Sequence, residues 1–282
     1  MSTYKELLES AKELLRQQKI ADAHADAWYL LSHVYEIDRT QFLIRGGRQA
    51  PEEKMERFYA MVRERAEHIP LQHLTGTQEF MGMEFAVSGD VLIPRQDTEL
   101  LVEEVLKLSE EKEILDMCTG SGCIIVSLAK FGKPKSATGV DISEKALKIA
   151  SGNAYNNKVK VKYLQSDLFD RVEGSYDIIV SNPPYIPTPE IDTLMPEVRD
   201  HEPVLALDGS MDGLEFYRRI SSDAKPYLRA NGAIFFEIGY NQGEAVKEIL
   251  LREGYAEISI KKDLSGHDRI VSAIFATGGL DH

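Results

Sequence analysis

The sequence predicts an α/β protein: a doubly wound, mostly parallel sheet with its last strand antiparallel, preceded by a small N-terminal helical bundle and a connecting β-hairpin. Three observations predict it. Apolar residues recur at helical spacing up to about residue 70. They then give way to short apolar runs punctuated by glycines, and from about residue 96 strand-like and helix-like stretches alternate. On these changes of pattern the chain divides into a helical domain over 1–71, a hairpin linker over 72–95 and an α/β domain over 96–282.

In the first segment Tyr4, Leu7, Leu8, Ala11, Leu14 and Leu15 form one apolar stripe, and Ala23, Ala27, Leu30, Leu31 and Val34 form a second. Pro51 suits the first turn of a further helix, with Glu52 and Glu53 near its positive end. Met55, Phe58, Tyr59, Val62 and Ala66 give that helix a buried face, and Pro70 ends it. Phe80, Met83, Phe85, Val87 and the run Val91 to Ile93 fit short strands, with Gly82 and Gly89 as turn points.

Strands are expected at Glu113–Met117, Ala137–Ile142, Val161–Gln165, Tyr176–Ser181, Ala233–Ile238, Glu257–Lys261 and Ile270–Ala276. Helical stretches between most of them argue for parallel neighbours. The last two are joined by a short glycine-containing link with no room for a helix, so they should run antiparallel.

A chain of 282 residues, 43% hydrophobic and 28% charged, has room for such a core. Its formal charge of -13 opposes binding to polyphosphate backbones, where affinity comes mainly from Lys and Arg. The two cysteines, Cys118 and Cys123, lack metal-site or disulfide-framework spacing and are expected to be reduced, in a cytoplasmic protein. No apolar stretch is long enough to span a bilayer, and no membrane association is expected.

The chemistry starts at Asp116-Met117-Cys118-Thr119-Gly120-Ser121-Gly122, which leaves a buried strand through a glycine turn into a helix. Glycines there let the backbone approach a ligand, at the sheet edge where small ligands bind. The pyrophosphate fingerprint wants a third glycine where Ile125 stands, and no P-loop Gly-Lys follows. Asp141 ends the next strand, with Ile142 beside it. A carboxylate there can accept from both ribose hydroxyls, in bonds worth on the order of 1.5–3 kcal/mol. A glycine turn and a ribose carboxylate without pyrophosphate machinery suit S-adenosyl-L-methionine better than NAD. Asp167 and Leu168 end the third strand, where the acid can reach an adenine amino group and the leucine can pack on the ring. A helix-capping aspartate would read the same way.

The second motif is Asn182-Pro183-Pro184-Tyr185 after the fourth strand. Consecutive prolines stiffen the loop and offer carbonyls without N–H donors. With the Asn182 side-chain oxygen they present acceptors to an NH₂ group on a planar carbon, and Tyr185 can cover its face. An amide or exocyclic amine nitrogen is a weak nucleophile because its lone pair is delocalised. Two acceptors can hold it in line with a methyl sulfonium, contributing position and electrostatics rather than a general base. A protein amide and a nucleic-acid adenine-N6 or guanine-N2 amine both fit this clamp, although the base would require a basic groove and a target-recognition region. A catalytically silent donor-binding module would not need the stiff loop.

Taken together, these residues resemble the bacterial protein-(glutamine-N5) methyltransferases of peptide chain release factors, the HemK-type family. The resemblance extends over essentially the whole chain. It rests on the helical N-terminal segment, Ile93-Pro94-Arg95-Gln96-Asp97-Thr98-Glu99, the Asp116–Gly122 turn, Asp141, Asn182–Tyr185, Glu202-Pro203 and Ala206-Leu207-Asp208-Gly209 running on to Leu214. It implies a Rossmann-like, S-adenosylmethionine-dependent methyltransferase sheet. It also implies that the glutamine of the Gly-Gly-Gln loop of class 1 release factors is the acceptor and N5-methylglutamine the product. Nucleic acid is then not the substrate. By the same resemblance Cys118–Gly122, Asp141 and Leu168 hold the donor. Asn182, Pro183 and Tyr185 grip the amide, and the segment with Arg95 and Glu99 frames the acceptor opening with Pro184. The chain departs from the family at Cys118, where many relatives have glycine, and at Gln96-Asp97, where Pro-Glu is frequent.

Overall fold

The structure, a computed structural model, describes residues 2–276, so the end of the 96–282 segment lies outside the described residues. The chain forms two compact units, Met1–Thr77 with Met195–His201, and Gln78–Leu194 with Glu202–His282.

The first unit is helical: α1 (Tyr4–Gln17), α2 (Ala23–Tyr35), α3 (Arg39–Arg45), α4 (Met55–Ala66) and α5 (Leu71–Thr75). The first helix starts at a capping box in which the Thr3 hydroxyl accepts from the Glu6 N–H and the Glu6 carboxylate accepts from the Thr3 N–H. Tyr4, Leu7, Leu8, Ala11 and Leu15 are buried, as are Ala23, Ala27, Leu30, Leu31 and Val34 on the second helix. Glu52–Lys54 forms a 3₁₀ turn ahead of α4. Pro70 does more than end a helix: it sits at the N-cap of α5. The short α3, capped by Asp38, was not singled out from sequence because its exposed Leu43 and Ile44 break the apolar periodicity. The buried Arg65 pairs with Asp26 at 2.7 Å and Glu197 at 3.2 Å, which ties the Met195–His201 segment into this unit.

The second unit carries the hairpin β1 (Thr77–Phe80) and β2 (Met83–Ala86) and a seven-stranded sheet. Val91 to Ile93, expected as a strand, is irregular. Val91 closes a turn back to Ser88, Pro94 follows, and the Ile93 N–H goes to the Glu202 carboxylate instead of a ladder. The sheet strands are β3 (Glu113–Met117), β4 (Ser136–Asp141), β5 (Lys162–Gln165), β6 (Tyr176–Ser181), β7 (Leu228–Glu237), β8 (Ala256–Lys262) and β9 (Asp268–Phe275). Their order is β5-β4-β3-β6-β7-β9-β8. All described pairings among β3 to β7 are parallel, and β9 is antiparallel to both neighbours. The expected mostly parallel sheet with an antiparallel last strand is therefore the fold. Helices α6 (Gln96–Leu106), α7 (Cys123–Phe131) and α8 (Glu144–Asn156) pack with β3, β4, β7 and β9. The order reverses between β3 and β6, which is where a doubly wound sheet opens a crevice at its carboxyl edge.

Candidate functional site

A cavity of about 390 Å³ occupies that crevice, within the range of small-molecule sites. Its floor is the turn after β3. Cys118 (φ 62), Gly120 (φ 54) and Gly122 (φ 80) all take left-handed backbone. At Gly122 a Cβ would come within 3.0 Å of the Ala150 Cβ, so both the dihedral and the space require glycine. The turn is pinned from two sides: Thr119 N–H donates to the Val140 carbonyl at 2.9 Å, and Gly120 N–H to Asp141 Oδ2 at 2.8 Å.

Asp116 lies beneath the turn, wholly buried, and accepts the Thr119 hydroxyl on Oδ2. Burial pushes its carboxyl up to about 7 against the Thr119 hydrogen bond, and the Asp141 charge adds to the rise. The other Asp141 oxygen accepts from Ser143 N–H at 2.9 Å, so each oxygen keeps a lone pair free. Burial also raises Asp141, opposed by the Ser143 and Gly120 amides. Both thiols are pushed up by burial, Cys123 to about 12, so neither is a nucleophile at neutral pH.

Of the expected donor-side residues, Cys118, Thr119, Gly120, Ser121, Asp141, Ile142, Asp167 and Leu168 line this one cavity. Asp116 and Gly122 support it from behind without entering the wall. Leu168 is buried in left-handed backbone (φ 44), which aims its side chain into the cavity wall. Asp167 is half-exposed and ion-paired to Arg219 at 2.9 Å.

Asn182 and Pro184 bring the loop after β6 into the same wall. The Ser181 hydroxyl donates to the Met117 carbonyl at 2.6 Å, locking the ends of β6 and β3 together. The Asn182 amide nitrogen points inward, 3.4 Å from the Thr98 hydroxyl. Pro183 is buried and Tyr185 half-buried against the core, and neither is in the wall. The expectation that Tyr185 covers the ligand face therefore has no geometric counterpart here. Burial holds its phenol far above the ordinary range, so it is neutral.

Tyr185 is instead a strapped backbone. Gln242 Nε2 donates to its carbonyl at 2.9 Å and to the Gly213 carbonyl at 3.2 Å, while Gln242 Oε1 accepts the Gly239 N–H at 2.9 Å. A Cβ at Gly209 would meet Tyr185 Cα at 2.7 Å, and one at Gly213 would run into the Tyr185 oxygen. The glycines thus let the 207–214 segment lie against the loop. Ile186 N–H to Leu207 O (3.0 Å) and Gly209 N–H to Ile186 O (2.8 Å) complete the strap.

Arg95 is in the wall, where its guanidinium donates to the buried Glu202 carboxylate at 2.6 Å. Glu99 is not: its carboxylate accepts the Met81 N–H at 2.6 Å and holds the hairpin turn. Adjacent residues on a helix point about 100° apart, so α6 turns Thr98 to the cavity and Glu99 away. Sequence reasoning missed Thr98, Glu237 and Gln242. The available signal for Glu237 was a carboxylate ending the apolar run Ala233-Ile234-Phe235-Phe236.

The chain matches two family profiles, the PrmC N-terminal domain over residues 6–76 and the methyltransferase small domain over residues 95–211. It is 41% identical over 275 residues to a release factor glutamine methyltransferase of Fusobacterium nucleatum, covering 95% of this chain and 78% of that one. It is 38% identical over 271 residues to the protein of the same name from Geobacter sulfurreducens, covering 95% of both. Among solved structures it resembles a methyltransferase from Pyrococcus furiosus (TM-score 0.55, 17% identity, 70% of this chain and 91% of that one). It also resembles a ribosomal protein L11 methylase from Lactobacillus delbrueckii subsp. bulgaricus (TM-score 0.50, 20% identity, 65% and 81%). At those identities the structural likeness concerns the fold alone.

Proposed function

Because the chain belongs to the release factor glutamine methyltransferases, we infer that it methylates the side-chain amide nitrogen (N5) of the Gly-Gly-Gln glutamine in class 1 peptide chain release factors. The methyl donor is S-adenosyl-L-methionine. When bound, it supplies an electrophilic methyl group on a positively charged sulfur.

The residues present fit that donor. Asp141 has spare lone pairs at the end of β4, as two ribose hydroxyls require. The left-handed turn over Cys118–Gly122 lets the backbone come close, and Leu168 offers an apolar face for a purine. The Asp116 and Asp141 carboxyls favour a cationic ligand over a pyrophosphate. Asp167, held by Arg219, stands at the rim on the adenine side in this reading.

The observation that carries the acceptor half is the Asn182 amide. Its nitrogen is anchored at Thr98 in the wall of the cavity that also holds the donor turn, and in this reading its oxygen is turned to the substrate. That oxygen accepts one hydrogen of the glutamine NH₂. The nitrogen is thereby held with its lone pair toward the methyl carbon. Position and local charge supply the rate gain, and the proton lost after transfer goes to solvent. Arg95, fixed by Glu202, frames the opening together with Pro184. No observation favours the alternative acceptor, an adenine or guanine amine, and in this reading nucleic acid is not a substrate. The protein works in the cytoplasm, where its acceptor is made and used.

The test is mass spectrometry of the Gly-Gly-Gln peptide after incubating the enzyme with S-adenosyl-L-methionine and a release factor. A mass increase of one methyl group on glutamine is expected. Label transferred to free nucleic acid and not to the release factor would overturn the reading.

A further inference from the structure

Glu237 ends β7 with 1% of its surface exposed. It follows four apolar residues of a central strand and forms no ion pair within 4.0 Å among the described residues. Arg269, whose charge acts on it, is engaged by Asp263 at 3.0 Å and Asp97 at 3.3 Å. One carboxylate oxygen, Oε2, has no hydrogen-bond partner. Burying a carboxyl group this way is costly, and folds retain such groups where something needs them. The side chains that bond to it are Thr98 and Asn182.

The directions of these hydrogen bonds follow from the inventory of donors. An ionised carboxylate only accepts. The single hydroxyl hydrogen of Thr98 is therefore drawn to Glu237, and the Thr98 oxygen is left as an acceptor for the Asn182 Nδ2–H at 3.4 Å. Turning the Asn182 amide over would set its oxygen against the Thr98 lone pair and the Glu237 carboxylate. The amide's inward end is thus its nitrogen, and its cavity end is its oxygen. A freely turning amide would offer substrate N–H groups a second NH₂ for part of the time, which repels them.

We propose that Glu237, bonded to the Asn182 amide both directly and by way of Thr98, is the positioning residue that fixes which end of that amide meets the substrate. This rests on the reading of Asn182 as acceptor for the glutamine NH₂. Glu237 lies outside the cavity wall and acts by removing the unproductive orientation of the residue that meets the substrate.

Initial rates with labelled donor and a release factor at pH 8, together with donor affinity by calorimetry, test this in four proteins: the unmodified enzyme, Thr98→Val, Thr98→Ser and Glu237→Gln. Thr98→Val keeps shape and removes one of the two acceptors that hold the Asn182 nitrogen, so kcat should fall about tenfold, the effect of losing one hydrogen bond. Donor Kd and release factor KM should stay within about twofold, because one neutral hydrogen bond at most is altered. Thr98→Ser, which retains the hydroxyl, should restore kcat to within about threefold of the unmodified enzyme. Glu237→Gln can donate as well as accept and should also lose about tenfold in kcat with donor affinity intact. Unchanged kcat in Thr98→Val, or a serine variant no better than the valine one, overturns the proposal. Equal loss of donor affinity in Thr98→Val makes the role structural and overturns it as well. An unmodified enzyme that leaves the release factor unlabelled sinks the reaction reading and this inference with it. An active one with unaffected variants sinks this inference alone.

Discussion

The side-chain amide of Gln242 and the main-chain oxygen of Tyr185 are joined by a 2.9 Å hydrogen bond across 57 residues of chain. Gln242 also holds Gly213 and Gly239, so one buried amide fixes the acceptor loop, the strap beside it and the end of β7. Gln242→Glu keeps the size and removes the two donors, setting carboxylate oxygens against the Tyr185 and Gly213 carbonyls. Turnover should fall more than about tenfold while donor affinity changes less than about threefold, since each lost buried bond is worth roughly 1–3 kcal/mol. Rates and calorimetry check both numbers.

Asn182→Ala removes the cavity-facing oxygen. Turnover should drop roughly 100-fold or more, the cost of losing one electrostatic group aimed at the reacting atoms. Donor binding should persist. Calorimetry that finds donor affinity lost in proportion would place Asn182 in a structural role.

Asp141→Ala removes the ribose acceptor and the partner of the Gly120 and Ser143 amides. Donor affinity should weaken about tenfold or more, given charge-assisted bonds of roughly 1.5–3 kcal/mol. Unchanged affinity would remove the ribose assignment.

Cys118 bears left-handed backbone (φ 62), tolerable for an unbranched side chain and severe for a β-branched one. Cys118→Val should lower stability by about 1–3 kcal/mol. In Cys118→Gly the relief of about 1 kcal/mol of strain is offset by lost packing and a looser unfolded chain, so stability should change by less than about 1 kcal/mol. Donor binding should survive in the glycine variant. Thermal melts with and without donor separate the two effects.

Glu237 is pushed up to about 7 by burial, against hydrogen bonds from Thr98 and Asn182 and the Arg269 charge; Asp97 adds to the rise. A folded-state value above the unfolded one means the proton-bound form is favoured by folding. That contribution is complete below the unfolded value, ordinarily 4.5, and is lost as pH rises through about 7. Glu237→Gln has no proton to lose. Its melting temperature relative to the unmodified protein should therefore be higher at pH 8 than at pH 5, by an amount worth at most about 3 kcal/mol. The same pull on Asp116 is present in both proteins and cancels. A difference that does not change with pH would contradict the assignment. Ionising the residue proposed to orient Asn182 thus costs the fold stability above about pH 7, a stability–function trade-off.

The strands were legible because each is a short apolar run bounded by turn residues; β3 and β6 have the bounds read from sequence. The donor turn and acceptor loop were legible because their chemistry is contiguous. What sequence could not supply was the support around them. Thr98, Glu237 and Gln242 come from three separate elements, and no local spacing connects them. Glu99 was assigned to the acceptor opening because it shares a segment with Arg95, and helix phase sends it to the hairpin instead. Val91 to Ile93 looked like a strand by composition, but composition says nothing about whether a neighbour is free to pair.

Because β9 runs against its neighbours, the tip joining it to β8 lies on the same rim of the sheet as the cavity mouth. A crossover helix would have carried that connection to the far rim. The turn over 263–267 therefore shares its rim with the donor turn after β3 and the loop after β6, and its length and charge can vary without moving either strand end.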